Sequence, residues 1–216
     1  MVTAYHGPGN VSKIIDRLPV KFIGGRLCLD FVNTVGGRDP DGAALRDKIG
    51  DYEELLAWSV LAGTVDRRPA GALARLAARD PEDAAAVLAR AIRLREDLFR
   101  IFECAIEGRR PPDSAAETLR RELSIARPRQ FFAAHSGRFK WTFPPPSTLD
   151  YILWPLPLSA AELLASDDLA GLRRCRGVDC GWLFLDSSRN HRRQWCDMRD
   201  CGNRAKVRRF RRKRTV

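Results

Sequence analysis

The sequence lacks any apolar run long enough to cross a membrane, which takes roughly 18 or more consecutive apolar residues. Its opening, with Tyr5, His6, Gly7 and Pro8, is polar and has no basic stretch followed by an apolar one, so it does not read as a signal peptide. No internal repeat is visible, and low complexity is confined to a basic run at the end. We therefore expect a cytoplasmic protein without membrane partners, in which cysteine thiols stay reduced.

Common catalytic motifs are absent as well. The sequence shows no nucleophile elbow, no glycine-rich phosphate loop and no carboxylate pair. We therefore expect no enzyme. The length of 216 residues suits one medium domain with a small appendage.

Four of the six cysteines form two pairs near the C-terminal end. Cys175 and Cys180 make one C-x4-C pair, and Cys196 and Cys201 make a second pair after fifteen intervening residues. Zinc takes four thiolates tetrahedrally, and two tight turns can supply two of them each. The pattern therefore predicts one structural zinc ion. Two disulfides, or four unrelated buried thiols, are the alternatives, and the expected reducing environment disfavours the disulfides.

Two glycines and one histidine accompany the cysteines. Gly177 and Gly202 are expected to give the two turns the backbone freedom that they need. His191 lies between the pairs beside Arg189 and Arg192, and we expect a solvated or phosphate-facing ring rather than a metal ligand.

Charge divides the chain into two unequal parts. Residues 171–216 hold fifteen Lys or Arg against four Asp, a net charge of +11, which equals the net charge of the whole chain. Residues 1–170 hold the other 23 basic and 23 acidic residues and are formally neutral. One zinc ion with four thiolates would lower the charge of the tail only to +9. Such a field indicates a polyphosphate partner.

The pattern of apolar residues predicts an α+β fold with a mostly helical N-terminal domain and a small sheet. Helices are expected over 52–62 with Asp51 as N-cap, over 81–108 with Asp80 as N-cap, and over 114–126 with Asp113 or Ser114 as N-cap. Further elements are expected as a strand over 26–35, an aromatic hairpin over 130–143 that turns at 135–138, and helices over 148–154 and 159–172. We place the domains at 1–172 and 173–216, and without a flexible linker the second should lean on the first.

The remaining two cysteines and three polar residues belong to the N-terminal part. Cys28 and Cys104 lie among apolar neighbours and are expected to be buried structural thiols. Asp30, Asn33 and Thr34 stand at the end of the expected strand and are candidates for a ligand-binding cleft. An Asx turn or a helix cap would use the same side chains.

The zinc module is expected to be treble-clef-like. A strand over 182–186 should pair with a return strand through Gln194 and Trp195, and a helix should follow the second cysteine pair. On that helix, Val207 and Phe210 are three residues apart and should pack toward the hairpin, which leaves the arginines on the other side.

Basic residues of this module are the candidate nucleic-acid contacts. They are Arg189, Arg192 and Arg193 on the loop and Arg204, Lys206, Arg208, Arg211 and Arg212 on the helix. Most would contact phosphates and fix the register, while one or two helix arginines could read guanine edges in the major groove. Each one alone could equally be a solvated surface charge, so the prediction rests on the cluster.

Motifs in both parts resemble a known family. The segment Cys201-Gly202-Asn203-Arg204 resembles the CGNR zinc finger, together with Phe184, Asp186, Ser188, Arg193, Trp195, Cys196, Met198, Ala205 and Lys206 around it. The segment 27–34 (LCLDFVNT), with Trp58 downstream, resembles the opening of the ABATE domain that usually precedes this finger. The resemblance covers nearly the whole chain. It implies a stress-responsive transcription regulator whose N-terminal α/β domain senses a ligand or dimerises and whose C-terminal finger binds DNA.

Two other functions remain open at this point. An RNA-associated zinc protein would need aromatic rings for base stacking, but most aromatic residues of the tail are needed to pack the finger. An interaction module or an enzyme with an N-terminal cleft would use the zinc only as a structural ion. The leading prediction is a regulator that binds duplex DNA, with a small-molecule effector or a homodimer as further partners.

Overall fold

The computed structural model describes residues 10–38, 46–135 and 137–214, and Ser136 of the expected hairpin turn and the opening residues 5–8 lie outside them. The α-helices are α1 Asn10–Ile15, α2 Leu27–Val32, α3 Tyr52–Leu61, α4 Arg67–Arg79, α5 Pro81–Ile106, α6 Asp113–Ala126, α7 Pro155–Leu164 and α8 Asn203–Arg214. The strands are β1 Phe131–His135, β2 Arg138–Thr142, β3 Leu172–Arg174 and β4 Leu183–Leu185. Short 3-10 helices cover Arg127–Arg129, Leu149–Leu153 and Asp167–Gly171, and a π-helical turn covers Met198–Gly202. The predicted α+β class with predominant helix is confirmed.

Helix α5 is the spine of the fold, as its sequence predicts. Asp80 caps it by accepting a 3.0 Å hydrogen bond from the Asp83 amide, and Pro81 occupies the first turn, where no amide donor is required. Leu94, Leu98 and other apolar residues on the same stripe are fully buried. The stripe packs against α2, α3, α4 and α6, so one long helix organises the core.

Helix α3 begins where it was predicted, and helix α6 begins without the expected cap. The Asp51 carboxylate accepts a 2.7 Å hydrogen bond from the Glu54 amide, which confirms it as the N-cap of α3. In α6 the capping position is Pro112, with no side-chain hydrogen bond, so the prediction of Asp113 or Ser114 as N-cap is wrong. Helix α4 was not predicted, although its buried Ala70, Leu73, Ala74 and Ala77 form a regular apolar stripe.

The expected strand over 26–35 is a helix, α2, with Val35 forming only an isolated bridge to Asp47. Cys28, Leu29, Phe31 and Val32 are all buried, because α2 packs against α5 and α7 at once. In a segment of six residues that are nearly all apolar, the apolar positions fit both the 3.6-residue repeat of a helix and the two-residue repeat of a strand. The alternation of residues alone therefore could not separate a strand from a helix.

The end of the N-terminal part also differs from its prediction. The segment 148–154 forms the 3-10 helix Leu149–Leu153, and α7 starts at Pro155 rather than at 159. Both Pro155 and Pro157 lie in the first turn of α7, where a helix tolerates proline, so they start the helix instead of breaking it. Helix α7 ends at Leu164, and Leu172 already belongs to β3.

The predicted aromatic hairpin is present. Strands β1 and β2 pair antiparallel, with Phe132 opposite Trp141 and Ala134 opposite Phe139. Gly137 has φ of 78°, the left-handed conformation that a tight hairpin turn requires.

A second small sheet joins the finger to the main core. Strand β4 pairs with β3, with Leu172 opposite Leu185, so the predicted pairing with a return strand through Gln194 is wrong. Leu172 and Leu183 are buried in the main core. The other edge of β4 is also bonded: the Leu185 amide donates to the Gly24 carbonyl at 2.9 Å, and Leu183 bonds to Asn33. The finger therefore packs on the larger part as expected, while the division at 172/173 stays a prediction.

Within the described residues, the longest and most apolar helices fall short of what a membrane span requires.

Candidate metal centre and nucleic-acid interface

Four cysteine sulfurs converge at the C-terminal end of the fold. The Sγ atoms of Cys175, Cys180, Cys196 and Cys201 all lie within 4.8 Å of one another, and all four side chains are buried. The Cys180 and Cys196 sulfurs are 3.6 Å apart, and those of Cys196 and Cys201 are 3.7 Å apart. Zinc–sulfur bonds of about 2.3 Å in a tetrahedron place sulfurs about 3.8 Å apart. The cluster fits one structural zinc ion, as predicted.

Two of the four sulfurs, those of Cys175 and Cys201, accept hydrogen bonds from amides or from an arginine. Amides of Gly177 and Cys196 donate to the Cys175 sulfur at 3.4 and 3.3 Å, and the Arg204 guanidinium donates to the Cys201 sulfur at 3.3 Å. Hydrogen bonds from the Cys180 and Cys196 thiols lower the pKa of Cys175, whereas the Cys175 thiolate raises the pKa values of Cys180 and Cys196. Four groups this close cannot all ionise without a cation, and a divalent ion removes that repulsion.

The two glycines of the turns are required by space rather than by backbone conformation. A Cβ atom on Gly177 would lie 2.9 Å from the Cys201 sulfur, and one on Gly202 would lie 2.6 Å from the Met198 sulfur. Neither glycine has a positive φ, so the predicted reason is wrong. The left-handed residues of the finger are Asp179, Gly181 and His191.

The loop between β4 and the second cysteine pair is fixed by Asp186. Its carboxylate is buried and accepts hydrogen bonds from the Ser188 and Arg193 amides at 2.9 and 2.8 Å. His191 turns its Nδ1 atom toward the Asp186 carbonyl at 3.0 Å and is not among the clustered metal ligands found in the described residues. These contacts hold the loop in an irregular course, which explains why no return strand forms there.

The eight predicted nucleic-acid contacts fall into two groups. Arg193 is turned into the finger, with its guanidinium 4.5 Å from the Phe184 ring centroid and its Nε donating to the Trp195 carbonyl at 2.9 Å. Arg204 is also exposed in part, but it pairs with Asp200 at 3.2 Å and contacts Cys201. The other six are exposed on the loop and on α8, namely Arg189, Arg192, Lys206, Arg208, Arg211 and Arg212.

Helix α8 projects from the metal cluster, and its two apolar side chains are largely exposed. Val207 is 49% exposed and Phe210 is 61% exposed, so the prediction that they pack toward the hairpin is wrong. The helix mainly contacts the Met198–Gly202 turn that contains Cys201. Its orientation is therefore set by the metal site.

The three candidate effector residues have structural partners. Asn33 is buried, and its side-chain amide donates to the Leu183 carbonyl at 2.8 Å and accepts from the Leu183 amide at 2.9 Å. Thr34 donates to the Phe31 carbonyl at 2.7 Å, and Asp30 accepts from the Gly24 amide at 2.8 Å. These are the turn and edge roles that the sequence left as an alternative, and ligand binding by the three stays a prediction.

The two other cysteines lie apart from the metal cluster, and both are buried as predicted. Burial raises the pKa of Cys28 to about 12 and keeps its thiol neutral.

Sequence reasoning missed a group of lysines from the N-terminal part beside the metal cluster. Lys21 lies 3.5 and 3.4 Å from carboxylates of Asp197 and Asp200, and the Lys48 ammonium lies 4.6 Å from the Trp182 ring centroid. They line a cavity of about 240 Å³ with Cys180 and Cys201. Burial lowers the pKa of Lys48, and the charges of Lys21 and Arg46 lower it further. No local sequence signal could show this, because the partners are more than 100 residues apart.

Comparison with known families assigns both parts of the chain. The ABATE family model, described as a putative stress-induced transcription regulator, matches residues 25–167. The CGNR zinc finger model matches residues 172–214. No curated protein matches the chain.

Proposed function

Because the chain belongs to the ABATE family and ends in a CGNR zinc finger, we propose that it is a transcription regulator that binds duplex DNA through α8 and the adjacent loop. The observation that carries this proposal is the composition and exposure of α8. Eight of its twelve residues are Lys or Arg and none is acidic. The major groove of duplex DNA is wide enough to admit such a helix.

Helix α8 alone is electrostatically unfavourable. Arg208 and Arg212 are four residues apart, as are Arg204 and Arg208, and like charges at this spacing repel on a helix. Little apolar burial compensates, since Val207 and Phe210 are largely exposed. A row of phosphates would supply the missing negative charge. The helix is therefore best suited to work against a polyanion.

The metal site and the loop give this helix a defined position. Cys201 lies in the turn immediately before α8, and Arg204 ties the first turn of α8 back to Cys201 and Asp200. Arg189 and Arg192 are exposed on the loop and add phosphate contacts that fix the register. In this proposal, exposed arginines of α8 read base edges.

We further propose that the zinc is structural, that the protein is not an enzyme and that it acts in the cytoplasm. Four cysteine ligands leave no open position on zinc for water or substrate. The N-terminal part is proposed to dimerise or to sense a small ligand, because one short helix reads few base pairs and specific sites usually need two.

The test is the affinity of the zinc-loaded chain for labelled duplex DNA across a salt series. If about six phosphates are neutralised, the slope of log K against log salt is near −5. The variant Arg208→Gln/Arg212→Gln is expected to bind duplex more weakly and to reduce the slope by about two, since each lost phosphate contact removes about 0.9.

The matched control is Arg75→Gln/Arg79→Gln, which removes the same charge at the same spacing from the exposed face of α4. It should leave both affinity and slope nearly unchanged. Equal losses in the two variants would show that only net charge matters, and a salt-independent complex would contradict the proposal.

A further inference from the structure

The β1–β2 hairpin exposes an unusual amount of aromatic surface. Phe132 is 57% exposed, Phe139 is 68% exposed and Trp141 is 63% exposed. Single exposed apolar residues are common on protein surfaces, but several large rings together usually mark a binding surface. These three residues are called the aromatic face below.

The aromatic face is one side of the hairpin. Phe132 pairs with Trp141, and Ala134 pairs with Phe139, so all four side chains point to the same side of the ribbon. The Phe132 ring lies 5.2 Å from the Phe139 ring and 5.3 Å from the Trp141 ring. The Phe132 and Phe139 rings are stacked, and the Trp141 ring is tilted at 51° to the Phe132 ring, so the three rings form one exposed aromatic cluster.

The charges around the aromatic face have one sign. Residues 127–142 contain four Lys or Arg and no acidic residue. Arg129 is exposed but lies over another ring, with its guanidinium 4.8 Å from the Trp154 ring centroid. Arg138 and Lys140 are exposed, and their side chains make no ion pair with any residue that the structure describes. Arg138 and Lys140 lie on the side of the ribbon opposite the aromatic face. Because neighbouring strands are only about 4.8 Å apart, a ribbon of two strands is narrow, and these long side chains can reach an anion at the edge of the ribbon.

Exposed rings together with nearby cations indicate which partner the aromatic face binds. A second copy of the chain would cover the rings, but its own hairpin would bring no negative charge for Arg138 and Lys140, since residues 127–142 contain no acidic residue. A nucleic-acid strand offers planar bases for the rings and phosphates for the cations. Base–aromatic stacking needs bases that are not already paired in a duplex.

We propose that the aromatic face binds single-stranded nucleic acid, with bases stacked on Trp141 and Phe139 and phosphates bound by Arg138 and Lys140. This site lies in the part that matches the ABATE family rather than in the finger. It is therefore separate from the duplex-binding helix, and either could fail without the other.

The experiment measures binding of the zinc-loaded full chain to labelled oligo(dT), oligo(U) and duplex DNA by fluorescence anisotropy. The variant Phe139→Ala/Trp141→Ala is expected to weaken binding to the single strands by about tenfold or more, because it removes two rings on which bases stack. Its duplex affinity should stay unchanged. The variant Arg208→Gln/Arg212→Gln should show the reverse pattern.

Two single substitutions of Trp141 separate the effect of base stacking from effects on folding or charge. Trp141→Phe keeps a ring and should retain most of the single-strand affinity, whereas Trp141→Leu keeps only apolar bulk and should lose it. Unchanged oligonucleotide affinity in Phe139→Ala/Trp141→Ala would overturn the proposal. Two other results would also overturn it. One is that the parent chain self-associates in sedimentation and Phe139→Ala/Trp141→Ala does not. The other is that the parent chain binds phosphatidylserine vesicles but no oligonucleotide, and the variant loses the vesicle binding.

Discussion

The N-terminal part and the zinc finger of this molecule are each stabilised by a different kind of interaction. The N-terminal part has an extensive apolar core, with Leu94, Leu98 and Phe102 fully buried on α5. The finger has a cluster made of its four cysteines and Phe184, with only partly buried apolar residues around it. One part folds by removing apolar surface from water, and the other depends on bonds to a metal ion. We therefore expect the neutral part to fold independently of metal and the charged part to require it.

Breaking the metal site should have the largest effect. Cys201→Ser removes one sulfur ligand, and structural zinc contributes roughly 10–16 kcal/mol to the folding of such modules. We expect loss of bound zinc, measured as metal per chain, and loss of duplex binding, because α8 starts at the turn that contains Cys201. Cys104→Ser, at a buried cysteine far from the cluster in sequence, is the control and should keep its zinc.

Breaking the apolar core should affect the other part. Leu98→Ala is expected to lower the free energy of unfolding by about 2–5 kcal/mol, because it leaves a cavity at a fully buried position. Urea denaturation followed by circular dichroism measures the loss. Zinc stoichiometry should stay at one per chain, and a variant that lost its zinc as well would show that the two parts are not energetically distinct.

The contact between the parts can be tested at Asn33. Asn33→Ala removes both hydrogen bonds to Leu183 and leaves a buried amide and a buried carbonyl without their partner. An unsatisfied buried group costs about 1–3 kcal/mol, and the loss should appear as faster hydrogen exchange in β3 and β4. Asn203→Ala, on the exposed start of α8, is the matched control and should leave β3 and β4 protected.

The smallest predicted effects distinguish the two glycines. Gly177→Ala places a methyl group against the Cys201 sulfur, which cannot move without leaving the metal, so zinc affinity should fall by about tenfold. Gly202→Ala meets chiefly the end of the Met198 side chain, which is 49% exposed and can move aside. Its effect on zinc affinity should be several times smaller, as measured by competition with a chromophoric chelator. Equal effects would mean that backbone freedom, and not space, selects both glycines.

Sequence patterns revealed the parts of this fold that depend on local chemistry. The caps at Asp51 and Asp80, the long stripe of α5, the hairpin turn at Gly137 and the two cysteine pairs all have short-range signals. The metal cluster was predictable because its ligands follow from residue type and spacing alone.

The parts that were mispredicted depend on packing between distant segments. Residues 27–32 form a helix because α5 and α7 bury them on several sides, and their own period does not show it. Strand β4 pairs with β3 because Asn33 and Gly24 bond its other edge. Val207 and Phe210 looked like core residues because of their spacing, but both are largely exposed on α8.

The most direct test of the two-part account is hydrogen exchange of the whole chain, followed segment by segment, before and after zinc is removed with a chelator. We predict that the amides of residues 175–181 and 187–214 lose protection while those of α3, α5 and the core-anchored β4 keep it, and that added zinc restores the finger. Protection of the finger without zinc, or loss of protection in α5 together with the finger, would contradict the account.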